Sequence, residues 1–151
     1  MLTKAQNTSL EQSSGWIKTL TYYVRVLKPR ETILLTLIGA CSAIIAGQGS
    51  PPLERFTLAM LAIILGSGGA NGLTNYLDRN VDAIMHRTRK RVLPSQLIKP
   101  PGKALVWATI LVAVGLAISW ALHPYAFLAG SIGVFTAVVL RKTWATHFLG
   151  A

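Results

Sequence analysis

The chain has 151 residues, of which 52% are hydrophobic and only 13% are charged, whereas soluble domains carry about 25% charged residues. Fifteen Lys and Arg residues stand against five acidic ones, a balance typical of nucleic-acid binding or of the cytoplasmic loops of a membrane protein. Four long apolar segments favour the second interpretation. We therefore predict an all-α integral membrane protein that lies in the lipid bilayer and binds no nucleic acid.

The chain begins with a polar lead, residues 1–15, which we predict to be disordered because it has few apolar residues. Residues 16–28 are amphipathic and rich in aromatic and basic side chains, a pattern typical of a helix at the lipid headgroups. Apolar runs and Gly-Pro breaks then predict about four transmembrane helices joined by short turns and one long loop, 78–103. The predicted spans are 32–48, 56–77, 104–122 and 125–140.

The Lys and Arg residues alternate along the predicted topology. The residues before the first predicted span hold five, the first loop one, the 78–103 loop seven, the 123–124 turn none and the tail two. Cytoplasmic loops carry the excess of basic residues. We therefore expect both termini and the 78–103 loop on the cytoplasmic side of a bacterial-type cell (inner) membrane.

Two of the five acidic residues, Asp78 and Asp82, lie four positions apart at the end of the second apolar run. At about 100° per residue, a helix places both on one stripe, and Asn71 and Asn75 lie within the same ~60° arc. Basic residues follow at once. They are His86, Arg87, Arg89, Lys90 and Arg91.

This stripe has two interpretations. In the first, Asp78 and Asp82 bind Mg²⁺ with help from Asn71 and Asn75, because Mg²⁺ takes one or two carboxylates and leaves its other positions to substrate phosphates. Arginine side chains then bind the diphosphate through their planar forks. The candidate arginines are Arg87 and Arg91. In the second, the aspartates only form ion pairs with Arg79, Arg87 or Lys90 in a solvated loop.

Four sequence segments resemble the UbiA-type intramembrane prenyltransferases, and within them the protohaem IX farnesyltransferases. NYLDRNVDAIMHRT is similar to the family's first aspartate-rich motif, and GGANGLTNY resembles the segment leading into it. YVRVLKPRET resembles the K-P-R opening, and LPSQLIKPPGKAL resembles the segment after the motif. Together these segments cover residues 22–105.

The resemblance implies a prenyltransferase reaction in haem biosynthesis for terminal oxidases. The farnesyl group of farnesyl diphosphate is transferred to a vinyl group of haem B, giving haem O, with Mg²⁺ as cofactor and terminal-oxidase assembly proteins as candidate partners. It implies Asp78 and Asp82 as catalytic metal ligands, and Arg87 and Arg91 as diphosphate contacts. The K-P-R motif adds Lys28 and Arg30 to the diphosphate-binding residues.

Two departures from the family pattern qualify what the resemblance implies. Thr74 stands where the family usually has Asn, and no acidic residue follows Asp82, whereas the family has a second aspartate-rich motif and about nine transmembrane helices. We therefore expect residues 16–151 to be the N-terminal part of a UbiA-type domain, the first half of a nine-helix bundle, and an incomplete chain. Two alternatives stay open, a prenyltransferase for an aromatic quinone precursor and a catalytically inactive membrane fragment.

Overall fold

The computed structural model describes residues 19–86, 88, 90–98 and 100–148, with side chains up to residue 139. The predicted disordered lead, 1–15, and Arg87 lie outside the described residues. Every regular element in the described part of the chain is a helix, which confirms the all-α prediction. The elements are α1 over residues 19–26, α2 Pro29–Ala46, α3 Leu53–Ile84, α4 Gly102–Leu122 and α5 Pro124–Phe148.

Three of these helices, α2, α3 and α4, are long and apolar enough to cross a membrane, and the apolar part of α5, Pro124–Val139, is shorter. The predicted fourth span is thus an apolar helix of 16 residues followed by the basic pair at positions 141–142. Large apolar side chains along α2 are exposed, among them Ile33, Leu37 and Ile38. Such a helix surface suits contact with lipid rather than water.

Proline and glycine set most helix boundaries. Pro29 occupies the first turn of α2, where its fixed φ is favourable and its missing N–H removes no hydrogen bond. Turn residues 47–49 and Pro51 separate α2 from α3, and Pro124 begins α5 directly after His123. These positions agree with the breaks predicted from the sequence.

Helix α3 is longer than the predicted span, because it continues through Asp78 and Asp82 to Ile84. The connecting segment therefore begins at Met85 and not at residue 78. The predicted boundary marked where the apolar run ends, whereas the backbone stays helical through the polar residues beyond it. Thr88 also stabilises the helix end, since its hydroxyl donates a hydrogen bond to the backbone carbonyl of Asp82 at 3.0 Å.

Helices α3 and α4 pack closely through small residues. A Cβ atom added at Gly69 would lie 2.8 Å from the carbonyl oxygen of Ala108, and one added at Gly115 would lie 2.7 Å from the backbone nitrogen of Gly66. In lipid, such close approach provides much of the packing energy between helices. This contact fixes the position of α4 beside the polar end of α3.

The connecting segment folds back over α1 through a small apolar core. Val26 of α1 is 2% exposed and packs in one cluster with Leu93, Ile98 and Ala104. Burial of these side chains opposes the entropy cost of ordering a 17-residue connection, 85–101. The segment that carries Lys90 and Arg91 is thereby held against the last turns of α3 and the end of α1.

Candidate active site at the polar end of helix α3

A cavity of about 310 Å³ lies between the polar end of α3, the junction of α1 and α2, and the connecting segment. Its charged lining residues are four cations and two carboxylates, namely Arg25, Lys28, Lys90, Arg91, Glu31 and Asp82. The remaining lining residues are Val26, Asn75, Val92, Leu93 and Pro94. The excess of positive charge in a partly enclosed space favours a polyanionic ligand.

Asp82 is the buried carboxylate of this cavity, in a residue that is only 6% exposed. The guanidinium Nη1 of Arg91 donates to both carboxylate oxygens, at 2.8 and 3.1 Å. Charge-assisted bonds of this length are among the stronger ones in proteins. The pair joins the last turn of α3 to the connecting segment and holds one cation at the cavity wall.

Asn75 lines the same cavity. Its side-chain nitrogen donates to the backbone carbonyl of Val26, which fixes the orientation of the amide. Its Oδ1 atom is buried and has no hydrogen-bond partner in the described part of the chain. A buried acceptor without a donor costs free energy unless a ligand satisfies it, so this oxygen is a candidate ligand atom.

The four residues of the predicted stripe do not all line the cavity. Of its four members, Asn75 and Asp82 line the cavity, whereas Asn71 and Asp78 do not. Asn71 instead donates to the hydroxyl of Thr32 at 3.4 Å. Asp78 is half-buried on α3.

The other predicted site residues are also distributed unevenly. Lys28 and Arg91 line the cavity, whereas Arg30 is exposed and lies outside its lining. Arg87 cannot be assigned a position, because it falls outside the described residues. The structure thus brings Lys28, Asn75, Asp82 and Arg91 together.

Three charged lining residues were not predicted as site residues from the sequence: Arg25, Glu31 and Lys90. Glu31 lies 3.7 Å from the ammonium of Lys28 and is itself 58% exposed at the side chain, so their attraction is weak. Arg25 lies three positions before Lys28, and Lys90 directly precedes Arg91. The signals in the sequence were this proximity, the position of Arg25 and Glu31 in the YVRVLKPRET segment, and the position of Lys90 in the basic cluster after Asp82.

The donor set of the cavity suits a hard cation that arrives with its polyanion. Asn75 and Asp82 offer oxygen atoms, which Mg²⁺ prefers. No group of three or more His, Cys, Asp or Glu side chains lies together in the part of the chain that the structure describes. Such a site fits Mg²⁺, because this ion commonly takes one or two protein carboxylates and completes its shell with phosphates and water.

Residues 33–149 match the sequence profile of the UbiA prenyltransferase family. The chain belongs to this family. Membership and the apolar helices together establish an integral membrane protein, as predicted, and the resemblance seen in the aspartate-rich segment is confirmed.

Curated relatives of this UbiA-family chain include three proteins named protoheme IX farnesyltransferase. That of Desulforudis audaxviator is 37% identical over 131 residues, covering 86% of this chain and 41% of the relative. That of Thermofilum pendens is 34% identical, covering 84% and 47%, respectively. That of Acidiphilium cryptum is 32% identical, covering 93% and 46%. The chain thus spans less than half the length of these relatives, and no solved structure matches it.

Proposed function

We propose that this chain acts in the transfer of a farnesyl group from farnesyl diphosphate to a vinyl group of haem B. The farnesyl carbon bonds to one vinyl carbon and the hydroxyl of a water molecule bonds to the other, so that haem O, diphosphate and a proton are formed. The names of the curated relatives support this substrate pair. The observation that carries the proposal is the pairing of Asp82 with Arg91 in a cavity lined by four cations. A diphosphate has the charge that such a cavity favours.

The cations supply the main catalytic effect in this proposal. When the allylic C–O bond of the prenyl diphosphate breaks, the electron pair remains on the diphosphate oxygen. Arg25, Lys28 and Lys90 stabilise this developing charge, and Arg91 adds a planar fork that fits phosphate oxygens. Preorganised charges of this kind lower the barrier most where they are partly shielded from water, as at the cavity wall.

The oxygen donors have a complementary role. Asp82 would hold Mg²⁺, with Asn75 as the additional oxygen donor that the cavity offers. Asp78 lies outside the cavity lining and stays a proposed metal ligand through the resemblance alone. The bound ion would neutralise charge on the diphosphate leaving group. Arg91 keeps the Asp82 carboxylate in place at the cavity wall through two hydrogen bonds.

The membrane orientation and partners belong to the same proposal. The counts of basic residues support a cytoplasmic site loop and cytoplasmic termini in a bacterial-type cell membrane. We propose residues 16–151 as the N-terminal part of a UbiA-type domain, with proteins of terminal-oxidase assembly as partners. Arg30 and Arg87 remain proposed diphosphate contacts through the resemblance alone.

The proposal is tested by reconstituting the chain in lipid nanodiscs with haem B, farnesyl diphosphate and Mg²⁺. We expect Mg²⁺-dependent binding of farnesyl diphosphate and formation of haem O, detected by chromatography and mass spectrometry. Asp82→Asn serves as the matched variant and should lose both. Binding without haem O would contradict turnover by this chain, and prenylation of 4-hydroxybenzoate in its place would favour the quinone-precursor alternative.

A further inference from the structure

Lys28 has an unusual backbone conformation at the junction of α1 and α2. Its φ and ψ are 49° and 67°, in the left-handed region, where the Cβ atom of a non-glycine residue lies too close to the following carbonyl oxygen. Its side chain is nevertheless only 14% exposed and lines the cavity. A residue held in an unfavourable conformation points to a functional constraint at that position.

Three side chains hold this junction. The last carbonyls of a helix lack partners within the helix. At the end of α1, the carbonyls of Val26 and of Leu27, the residue directly after the helix, accept hydrogen bonds from other helices. The hydroxyl of Thr32 donates to the carbonyl of Leu27 at 3.0 Å, and the amide of Asn75 donates to the carbonyl of Val26. Asn71 in turn donates to Thr32 at 3.4 Å. We call Thr32, Asn71 and Asn75 the junction clamp.

We infer that the junction clamp sets the left-handed turn at Lys28 and so directs the Lys28 ammonium into the cavity. Thr32 and Asn71 are then positioning residues that touch neither metal nor diphosphate. This inference rests on the proposed diphosphate site and deepens it. The sequence predicted that Asn71 assists metal binding. In this inference Asn71 instead donates a hydrogen bond to Thr32, which donates to the carbonyl of Leu27.

Burial supports the inference. Thr32 is 8% exposed, and its hydroxyl links Asn71 of α3 to the carbonyl of Leu27 at the end of α1. Val26, one residue before Leu27, is 2% exposed in the apolar core beneath the cavity. Two kinds of contact therefore fix the junction. They are the apolar contacts of the Val26 side chain and the hydrogen bonds to the carbonyls of Val26 and Leu27. Loss of a donor would release Lys28 into more favourable backbone conformations.

The first test measures binding of inorganic pyrophosphate with Mg²⁺ to the chain in nanodiscs by calorimetry. Thr32→Val keeps the side-chain shape and removes the donor, so affinity should fall on the order of tenfold, as expected for one lost hydrogen bond to a partly buried carbonyl. Thr32→Ser should restore it. Thr109→Val is the matched control, because the Thr109 hydroxyl donates to the carbonyl of Leu105, one turn earlier in α4, and its affinity should equal that of the wild type.

A second pair of variants separates positioning from ligation. Asn71→Asp removes the donor and adds a carboxylate, so affinity should fall if Asn71 positions the junction and should be kept or increased if it binds the metal. In a Lys28→Ala background, Thr32→Val should weaken binding no further, because a residue that acts through Lys28 has no independent effect. An additive loss would overturn the inference.

Failure of the inference and failure of the proposed function are distinguishable. If the wild type binds pyrophosphate and Thr32→Val binds it equally well, the junction clamp does not position Lys28, and the diphosphate site stands. If the wild type shows no Mg²⁺-dependent binding, the proposed site itself is overturned, and the inference with it. Thermal unfolding of each variant checks that the fold is retained.

Discussion

The Arg91 guanidinium lies 2.8 and 3.1 Å from the two carboxylate oxygens of Asp82, across nine residues of sequence and a change from helix to connecting segment. Asp82 is buried, whereas the Arg91 side chain is 42% exposed. The carboxylate therefore depends on Arg91 for its charge partner, while the arginine retains access to the cavity. An arginine in a diphosphate site would need such access, because its guanidinium must reach the phosphate oxygens.

The first prediction concerns this pair. Arg91→Ala should lower the free energy of unfolding by about 1–3 kcal/mol, because the buried carboxylate loses both hydrogen bonds from Arg91 Nη1. The partial exposure of Arg91 favours the lower end of that range. Thermal and denaturant unfolding in detergent would measure it. In the double variant, Asp82→Asn should recover part of the lost stability, since burying a neutral amide without a partner costs less free energy than burying a carboxylate. Equal stability of Arg91→Ala and wild type would contradict the importance of the pair.

The second prediction concerns the two cations that were not predicted from the sequence. Arg25→Ala and Lys90→Ala should each weaken binding of Mg²⁺-pyrophosphate several-fold, and the loss should shrink at high salt because the charges are exposed and screened. Arg55→Ala is the control, since this exposed arginine in the first turns of α3 lies at the opposite end of that helix from the cavity. An equal loss in all three variants would indicate a non-specific charge effect.

The third prediction separates stability from binding at Lys28. Lys28→Gly should keep or raise the unfolding temperature, because glycine adopts positive φ without the steric cost. The same change should weaken pyrophosphate binding, because the ammonium is removed from the cavity. Calorimetry and thermal unfolding on one preparation would show whether the two quantities move in opposite directions. A parallel fall in both would mean that the lysine stabilises the fold and that its left-handed conformation has another cause.

The fourth prediction tests the contact between α3 and α4. Gly115→Ala should destabilise the fold, because the added Cβ would lie 2.7 Å from the backbone nitrogen of Gly66 and 3.1 Å from the carbonyl oxygen of Ala62. We expect about 1–3 kcal/mol, the usual cost of overpacking. Gly66→Ala is the matched control, since its Cβ would meet nothing within 4 Å and alanine favours the helix. Unfolding in mixed micelles would compare the two variants.

The fifth prediction tests the proposed orientation. In a Cys41→Ser background, which removes the chain's one cysteine, single cysteines replace Ser50 between α2 and α3 and Ser95 in the connecting segment. Both serines are exposed. A membrane-impermeant maleimide should label Ser50→Cys on intact cells and Ser95→Cys only after permeabilisation. The reverse pattern would place the cavity on the outer side.

Local chemistry made the helices predictable, and most of their ends, but not the end of α3. Apolar runs longer than a bilayer core, proline at helix starts and glycine in the turns act over a few residues, so they can be recognised without knowledge of the fold. The run of polar residues after Leu73 was less informative, because it marks where apolar character ends and not where the helix ends. Helix α3 continues to Ile84 and carries the whole stripe.

The sequence by itself determined that Asn71, Asn75, Asp78 and Asp82 share a stripe on one helix, because the angle between them depends only on the helical repeat. Only the tertiary structure decided which of them face the cavity. Asn75 and Asp82, seven residues apart and within about 20° of each other, meet α1 and the connecting segment, whereas Asn71 meets Thr32 of α2. The packing of Val26 with Leu93, Ile98 and Ala104 places α1 and the connecting segment on one side of α3. It therefore determines which residues of α3 line the cavity.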